Sequence, residues 1–318
     1  MGSTRRSCSE RFDARKSRSW TTSSLVTFRP VPPLAPGARV AVVAPSGPFD
    51  AAALERGIEV VSRRYVVSIR PVLQPHRYLA GTDAQRLDAV QRAFDDDGVS
   101  AVFAARGGYG AMRLLPTLRL APKPVIGFSD VTALHAALST AGLRSVHGPV
   151  VTQLGNQPAD VSERLFALLE GKPVGALHGT EALRAGVAEG PLLGGNLSVL
   201  ASLVGTRFMP SLRGAVLLLE DIGERPYRLD RMFTQLRLSG ALDGVAGIAL
   251  GEFTGCEEKD AAYSSAEVWR ELIQPLGVPC VAGFAIGHGA INQPVVFGAR
   301  VRLDAAEKTL TPLEGLSA

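Results

Sequence analysis

The chain has 318 residues, 46% of them hydrophobic and 20% charged, with a formal net charge of +4. That length suits two average domains and excludes a fold that must lean on disulfide staples. A basic body would point to nucleic acid or a membrane surface, but residues 1–30 carry seven basic and two acidic side chains, while the other 288 residues carry 27 and 28.

Residues 1–30 are rich in Ser, Thr and Arg and lack apolar periodicity. Segment 1–36 is therefore expected to be a disordered extension or a start set too far upstream; an Arg/Ser-rich transit segment is the alternative. No apolar run resembles a signal-peptide core, and no later stretch holds 18 uncharged apolar residues, so no membrane span is expected. Cys8, Cys256 and Cys280 are odd in number and dispersed. They argue against a disulfide framework or a Cys-based zinc site and fit a reducing cytoplasm.

After the proline-rich connector 30–36, the apolar run 39–45 predicts a buried strand feeding the turn Ser46-Gly47-Pro48. A helix is predicted over 51–64 and a strand over 66–72. A second helix is predicted over 82–95, capped by Asp83, with Leu87, Val90 and Phe94 on its buried face. Strands follow at 100–105, 124–128 and 144–147, with helices at 111–115, cut short by Pro116, and at 131–141. Strands alternating with helices predict an α/β domain over 37–165, built on a parallel sheet covered on both faces. The pattern changes near Gly171. Segment 166–186 reads as a linker, and 174–191 as loop-like with short strands. A β-rich domain with interspersed helices is predicted over 187–318: helices at 196–204 and 227–239, and strands at 214–219, 244–251, 278–283, 295–301 and 310–312.

Four segments could carry chemistry. In 125–132 (Val-Ile-Gly-Phe-Ser-Asp-Val-Thr) a strand ends and a helix starts at once. Ser129 would project its hydroxyl from a tight turn beside the free N–H groups of the helix start. A simple helix cap by Ser129 or Asp130 is the other reading. The loop 106–110 (Arg-Gly-Gly-Tyr-Gly) can bring backbone N–H groups close to a ligand or merely make a tight turn; it lacks the third glycine of a dinucleotide fingerprint and a Walker lysine. Glu220 and Asp221 end an apolar strand and point to opposite sides of it, so only one can face a site. His288 stands between two glycines after an apolar stretch. His76, His135, His147 and His178 fit a site less well. No paired metal-ligand spacing exists, so neither a metal nor another cofactor is expected. Ser129, Glu220 and His288 would together make a Ser-Glu-His set, in which a serine attacks a carbonyl, a histidine moves its proton and a carboxylate orients the histidine.

This ordered series resembles the LD-carboxypeptidase family of serine peptidases, which includes muramoyltetrapeptide carboxypeptidases and microcin-immunity peptidases. The matching segments are 43–47 (Val-Ala-Pro-Ser-Gly), 79–82 (Leu-Ala-Gly-Thr), 105–110, 127–130, 147–149 (His-Gly-Pro), 193–197 (Leu-Gly-Gly-Asn-Leu), 219–222 (Leu-Glu-Asp-Ile) with Pro226 and Arg231, and Gly287-His288. The resemblance implies Ser129 as nucleophile, Glu220 rather than Asp221 as triad acid, and His288 as base. It implies an oxyanion hole from backbone N–H groups of Asp130 and of Gly107 and Gly108. It also implies an active site between the two domains, a homodimer, and release of a C-terminal D-Ala from muramoyl tetrapeptides during cytoplasmic wall recycling.

The substrate carboxylate requires a cationic or N–H partner; Arg106, Tyr109 and Arg113, around the glycine-rich loop, are the candidates. Two other functions stay open. A microcin-type peptidase acting on a peptidyl- or aminoacyl-adenylate would need an aromatic to stack on the base, and Phe253, Tyr263 and Trp269 are available in sequence. A non-catalytic ligand-binding protein could keep the same cleft. The partner expected is a small peptide or muropeptide, with neither nucleic acid nor membrane.

Overall fold

The computed structural model describes residues 27–72, 74–258 and 262–317. The first half alternates strand and helix: β1 (Arg39–Val43), α1 (Ala51–Ser62), β2 (Val66–Ile69), α2 (Asp83–Asp95), β3 (Ala101–Ala104), β4 (Val125–Gly127), α3 (Thr132–Thr140), β5 (Ser145–His147), α4 (Val151–Leu154) and α5 (Ala159–Leu169). The second half holds β6 (Leu177–His178), β7 (Glu181–Arg184), β8 (Val187–Asn196), α6 (Leu197–Ser202), β9 (Val216–Ile222), α7 (Pro226–Leu238), β10 (Gly247–Thr254), α8 (Ser265–Ile273), β11 (Cys280–Ala282), β12 (Val295–Phe297), β13 (Arg300–Asp304) and β14 (Thr309–Pro312).

Two sheets result. The first has the order β12-β5-β4-β3-β1-β2, with β5 to β2 parallel and β12 antiparallel on its edge. The second has the order β6-β14-β13-β8-β9-β10-β11-β7, in which β8 to β11 are parallel and the flanking strands antiparallel. This is the α/β architecture expected, a parallel-sheet N-terminal half and a strand-rich C-terminal half.

Strand alternation sorts the cores. Val40 and Val42 face one side of β1, packing with Leu54, Ile58 and Leu165; Ala41 and Val43 face the other. On β9, Leu217 and Leu219 join that second core, which also holds α3, α6 and α7, whereas Val216 and Leu218 face Phe284, Phe297 and Leu303. One apolar layer thus spans both sheets and fixes them to each other. Each fully buried Leu or Val adds about 1.5–3 kcal/mol.

Several boundaries differ from the sequence reading. The helix over 82–95 is capped by Thr82, not Asp83; its hydroxyl accepts from the Gln85 N–H and Gln85 reaches back, a capping box. Leu87 is only half-buried, and Arg86 takes the inward position. The run 295–301 is two strands in two sheets, broken at Gly298, whose φ is +85° and whose space is closed by Phe28. The stretch 187–196 is one long strand rather than a loop. Its glycines mislead because they mark close backbone approach: a Cβ on Gly194 would meet the Leu218 carbonyl at 2.0 Å. The expected linker 166–186 supplies the edge strands β6 and β7, too short to read by alternation. Helices α4, α5 and α8 come in addition to those predicted. Of the expected extension, residues 1–26 lie outside the described residues. Residues 27–36, however, pack: Phe28, Val31 and Leu34 are buried, and the N–H groups of Val31 and Leu34 donate to Leu316 and Leu169. Prolines between these apolar residues hide their periodicity.

Candidate active site

Ser129 follows β4 by two residues. Phe128 is extended, and Ser129 then turns to a φ of +62°, one of three non-glycine residues with positive φ among those described. A 3-10 turn over Ser129–Val131 leads directly into α3. The hydroxyl is thereby set at the carboxyl end of a parallel strand and over a helix start. Left-handed backbone costs an L-residue about 1–2 kcal/mol, so the turn is strained where the serine is presented.

The glycine-rich loop lies against this serine. A Cβ on Gly107 would stand 2.8 Å from Ser129 Cβ and 3.0 Å from its Oγ. Gly108, at φ +109°, touches Gly47, whose N–H donates to the Gly107 carbonyl at 3.0 Å. Asp130 is 3% exposed, and its Oδ2 accepts the Ala111 N–H at 2.8 Å, so it ties the end of the glycine loop to the turn that carries Ser129. Arg86, 2% exposed, donates to the carbonyls of Pro45, Gly81 and Gly110 and pairs with Asp83. It joins three loops around the serine; its place in an amphipathic helix gives no sequence signal for that role.

Glu220 and Asp221 diverge as strand alternation requires. Glu220 is fully buried, and its Oε2 accepts from His288 Nδ1 at 2.6 Å. Asp221 turns the other way and accepts from Asn196 Nδ2 and the Ser198 N–H, both at 2.9 Å, at the start of α6. Burial pushes the Glu220 carboxyl above its ordinary range, and the His288 contact works against that push. Gly287, at φ +119°, lets its backbone pass against the carboxylate: a Cβ there would meet Glu220 Oε2 at 2.7 Å. Because Nδ1–H donates to Glu220, His288 Nε2 is left as the acceptor. Its ring lies 4.6 Å from that of Phe128, the neighbour of Ser129. The two halves also join at 193–197: a Cβ on Gly195 would meet Thr132 Oγ1 at 2.5 Å, and the Asn196 N–H donates to that oxygen at 3.0 Å.

The other candidates spread out. Tyr109 is half-exposed and packs edge-on against Tyr78, ring centres 5.7 Å apart. Arg106 donates to the Pro48 carbonyl. Arg113 is held by Asp83 at 2.6 Å. His135 and His147 are buried. His135 Nε2–H donates to the Gly127 carbonyl and Nδ1 accepts from Ser145, both at 2.8 Å, and burial lowers its pKa to about 4. His147, wedged among Phe128, His135 and Phe297, is lowered by burial as well. Trp269 is buried against Phe233 and Phe253, so it is not a free stacking face; Tyr263 is half-exposed. Cys256 and Cys280 are free and buried, while Cys8 lies outside the described residues. No described helix is long and apolar enough to cross a membrane.

Comparison with known proteins matches both halves. Residues 40–148 match the LD-carboxypeptidase N-terminal domain and residues 189–303 the LD-carboxypeptidase C-terminal domain. The murein tetrapeptide carboxypeptidase of Pseudomonas aeruginosa is 37% identical over 300 residues, covering 87% of this chain and 94% of that protein. The crystal structure of a muramoyltetrapeptide carboxypeptidase from Oxalobacter formigenes superposes with a TM-score of 0.77 at 29% identity, over 86% of this chain and 97% of that one. The microcin C7 self-immunity protein MccF, solved with aspartyl sulfamoyl adenosine, superposes with a TM-score of 0.82 over 91% of this chain and 99% of its own; at 24% identity that likeness is one of fold. By its matched domains and by its relatives, the chain belongs to the LD-carboxypeptidase family of serine peptidases.

Proposed function

We propose that this protein is a cytoplasmic, homodimeric L,D-carboxypeptidase that releases the C-terminal D-Ala from muramoyl tetrapeptides during peptidoglycan recycling, with Ser129, Glu220 and His288 as its triad. The observation that carries the reading is the 2.6 Å contact between His288 Nδ1 and the fully buried Glu220 carboxylate. A buried carboxylate on an imidazole fixes the tautomer that can accept a serine proton.

In this reading His288 Nε2 takes the Ser129 proton as Oγ attacks the carbonyl that precedes D-Ala. The oxyanion is held by N–H groups of Asp130 and of the Gly107–Gly108 loop at the head of α3. The carbon–nitrogen bond then breaks, His288 returns the proton to the leaving D-Ala amine, and an acyl-enzyme remains on Ser129. Water, deprotonated by the same imidazole, hydrolyses that ester and frees the tripeptide. Arg106, whose one hydrogen bond among the described residues goes to Pro48, is the candidate partner for the D-Ala carboxylate; Arg113 is engaged by Asp83. The buried position of Trp269 removes one candidate for stacking on an adenylate. Mass spectrometry of purified tetrapeptide muropeptide, with wild type against Ser129→Ala, tests the assignment: D-Ala release by the wild type alone supports it, and an active Ser129→Ala protein overturns it.

A further inference from the structure

His288 sits on a loop of the C-terminal half, yet side chains from the half that carries Ser129 hold that loop. Asn292 is fully buried. Its Oδ1 accepts the Gly287 N–H at 2.9 Å, and Gly287 is the residue whose backbone lies against the Glu220 carboxylate. The Asn292 N–H in turn donates to Gln157 Oε1 at 2.9 Å, and Gln157 Nε2 donates to the Ala290 carbonyl at 3.3 Å. Gln157 belongs to the short connection between α4 and α5. Helix α5, which follows at once, meets the loop twice more: Gln293 Nε2 donates to Asp160 at 3.1 Å, and Arg164 Nε donates to the Pro294 carbonyl at 3.2 Å.

We propose that Gln157 and Asn292 form a positioning clamp that sets His288 in register with Ser129 across the two halves of the molecule. Neither residue touches the reacting atoms; each acts through the Gly287-His288 backbone. The two amides divide the work: Gln157, an acceptor and a donor in one side chain, grips the Asn292 N–H and the Ala290 carbonyl of one loop, while Asn292 passes that hold inward by accepting from the Gly287 N–H. A loop released from this grip would let the imidazole drift from Glu220 and from the serine, and a misplacement of about 1 Å can cost on the order of 10²-fold in rate.

The proposal rests on the triad reading above, and its test separates the two. In the full-length protein, Gln157→Leu removes both hydrogen bonds at similar volume, Gln157→Glu keeps the oxygen that accepts from Asn292, and Asn292→Ala removes the inner acceptor. For Gln157→Leu, kcat on disaccharide tetrapeptide is expected to fall about tenfold or more with KM within about twofold, a catalytic misplacement rather than lost binding. The rate of fluorophosphonate capture at Ser129 should fall in parallel, and Gln157→Glu, which keeps the contact with Asn292 but not the one with Ala290, should recover part of both. Asn292→Ala should act in the same direction and more strongly. An unchanged kcat in Gln157→Leu, a loss confined to KM or to melting temperature, or no recovery in Gln157→Glu overturns the clamp. If the wild type captures the fluorophosphonate but leaves the tetrapeptide intact, the substrate assignment fails while the capture rates still decide the clamp.

Discussion

Glu220 and His288 meet at 2.6 Å although they arrive from different directions, the carboxylate on the end of β9 and the imidazole on a loop 68 residues later. Their contact is enclosed on the carboxylate side, where Glu220 has no exposure, and open on the imidazole side, where His288 keeps 13%. That asymmetry is what a proton shuttle needs: one nitrogen locked and the other reachable.

Glu220→Gln is therefore expected to cost more than a lost hydrogen bond. The amide NH₂ can face Nδ1 and favour the opposite tautomer, in which Nε2 carries the proton and cannot accept one from Ser129. A fall in kcat of about 10⁴-fold with an intact fold is the expected result. Steady-state kinetics beside circular dichroism measure it, and a fall below tenfold would contradict the role given to Glu220.

Ser129 couples the site to stability. Its φ of +62° suits glycine better than any L-residue. Ser129→Gly and Ser129→Ala should both be inactive, yet the glycine variant should be the more stable of the two by about 1 kcal/mol, because it alone relieves the left-handed backbone. Urea denaturation of the two proteins, compared at equal m-value, reads this difference; equal stabilities would mean that the turn stores no strain.

The glycine loop offers a test without touching a titratable group. Gly107→Ala places a methyl carbon 2.8 Å from Ser129 Cβ, and both partners are on short, tightly held turns. The turn must shift, and a loss in kcat on the order of 10²-fold is expected. The check is kcat with the melting temperature measured beside it; full activity would show that the loop yields freely.

How much of this was legible in sequence depended on what the residue pattern reports. The alternation of apolar runs with amphipathic stretches gave the parallel sheet, since a doubly covered strand such as β3 is apolar throughout. Opposite facing of Glu220 and Asp221 followed from strand geometry alone. Strand β8 was hidden because Gly190, Gly194 and Gly195, which look like loop residues, are needed where neighbouring backbone and Thr132 come close. Arg86 was hidden for a different reason: a buried arginine that satisfies three carbonyls looks, in sequence, like any solvated helix position. The Gln157–Asn292 contact joins residues 135 apart and has no local signature.

The two arginines near the glycine loop should separate by their partners. Arg113 spends its guanidinium on Asp83, an exposed pair of the kind worth about 0–1 kcal/mol, so Arg113→Gln should leave KM within about twofold. Arg106 retains donors beyond its contact with Pro48. Arg106→Gln should raise KM for the tetrapeptide about tenfold, the loss of one charge-assisted contact of about 1.5–3 kcal/mol at most. The reverse pattern, with KM rising only in Arg113→Gln, would move the carboxylate site to that residue.

Glu170 gives a prediction in acid that is independent of catalysis. Its carboxylate receives two hydrogen bonds from Arg64 and pairs with Lys172 at 2.7 Å, while its side chain is only 4% exposed. The Arg64 bonds dominate and hold its pKa at about 2 against an ordinary 4.5. A depressed carboxylate pKa means that the unfolded chain binds more protons than the folded one between those values, so stability is present above about pH 4.5 and is lost as pH falls towards 2. Thermal melts of wild type and Glu170→Gln should therefore differ most above pH 4.5 and converge as pH approaches 2. The subtraction of the two curves isolates this group from every other carboxylate that titrates in the same range. A difference that stays constant through the acid window would mean that Glu170 is not held ionised by Arg64, and that the contact contributes through packing alone.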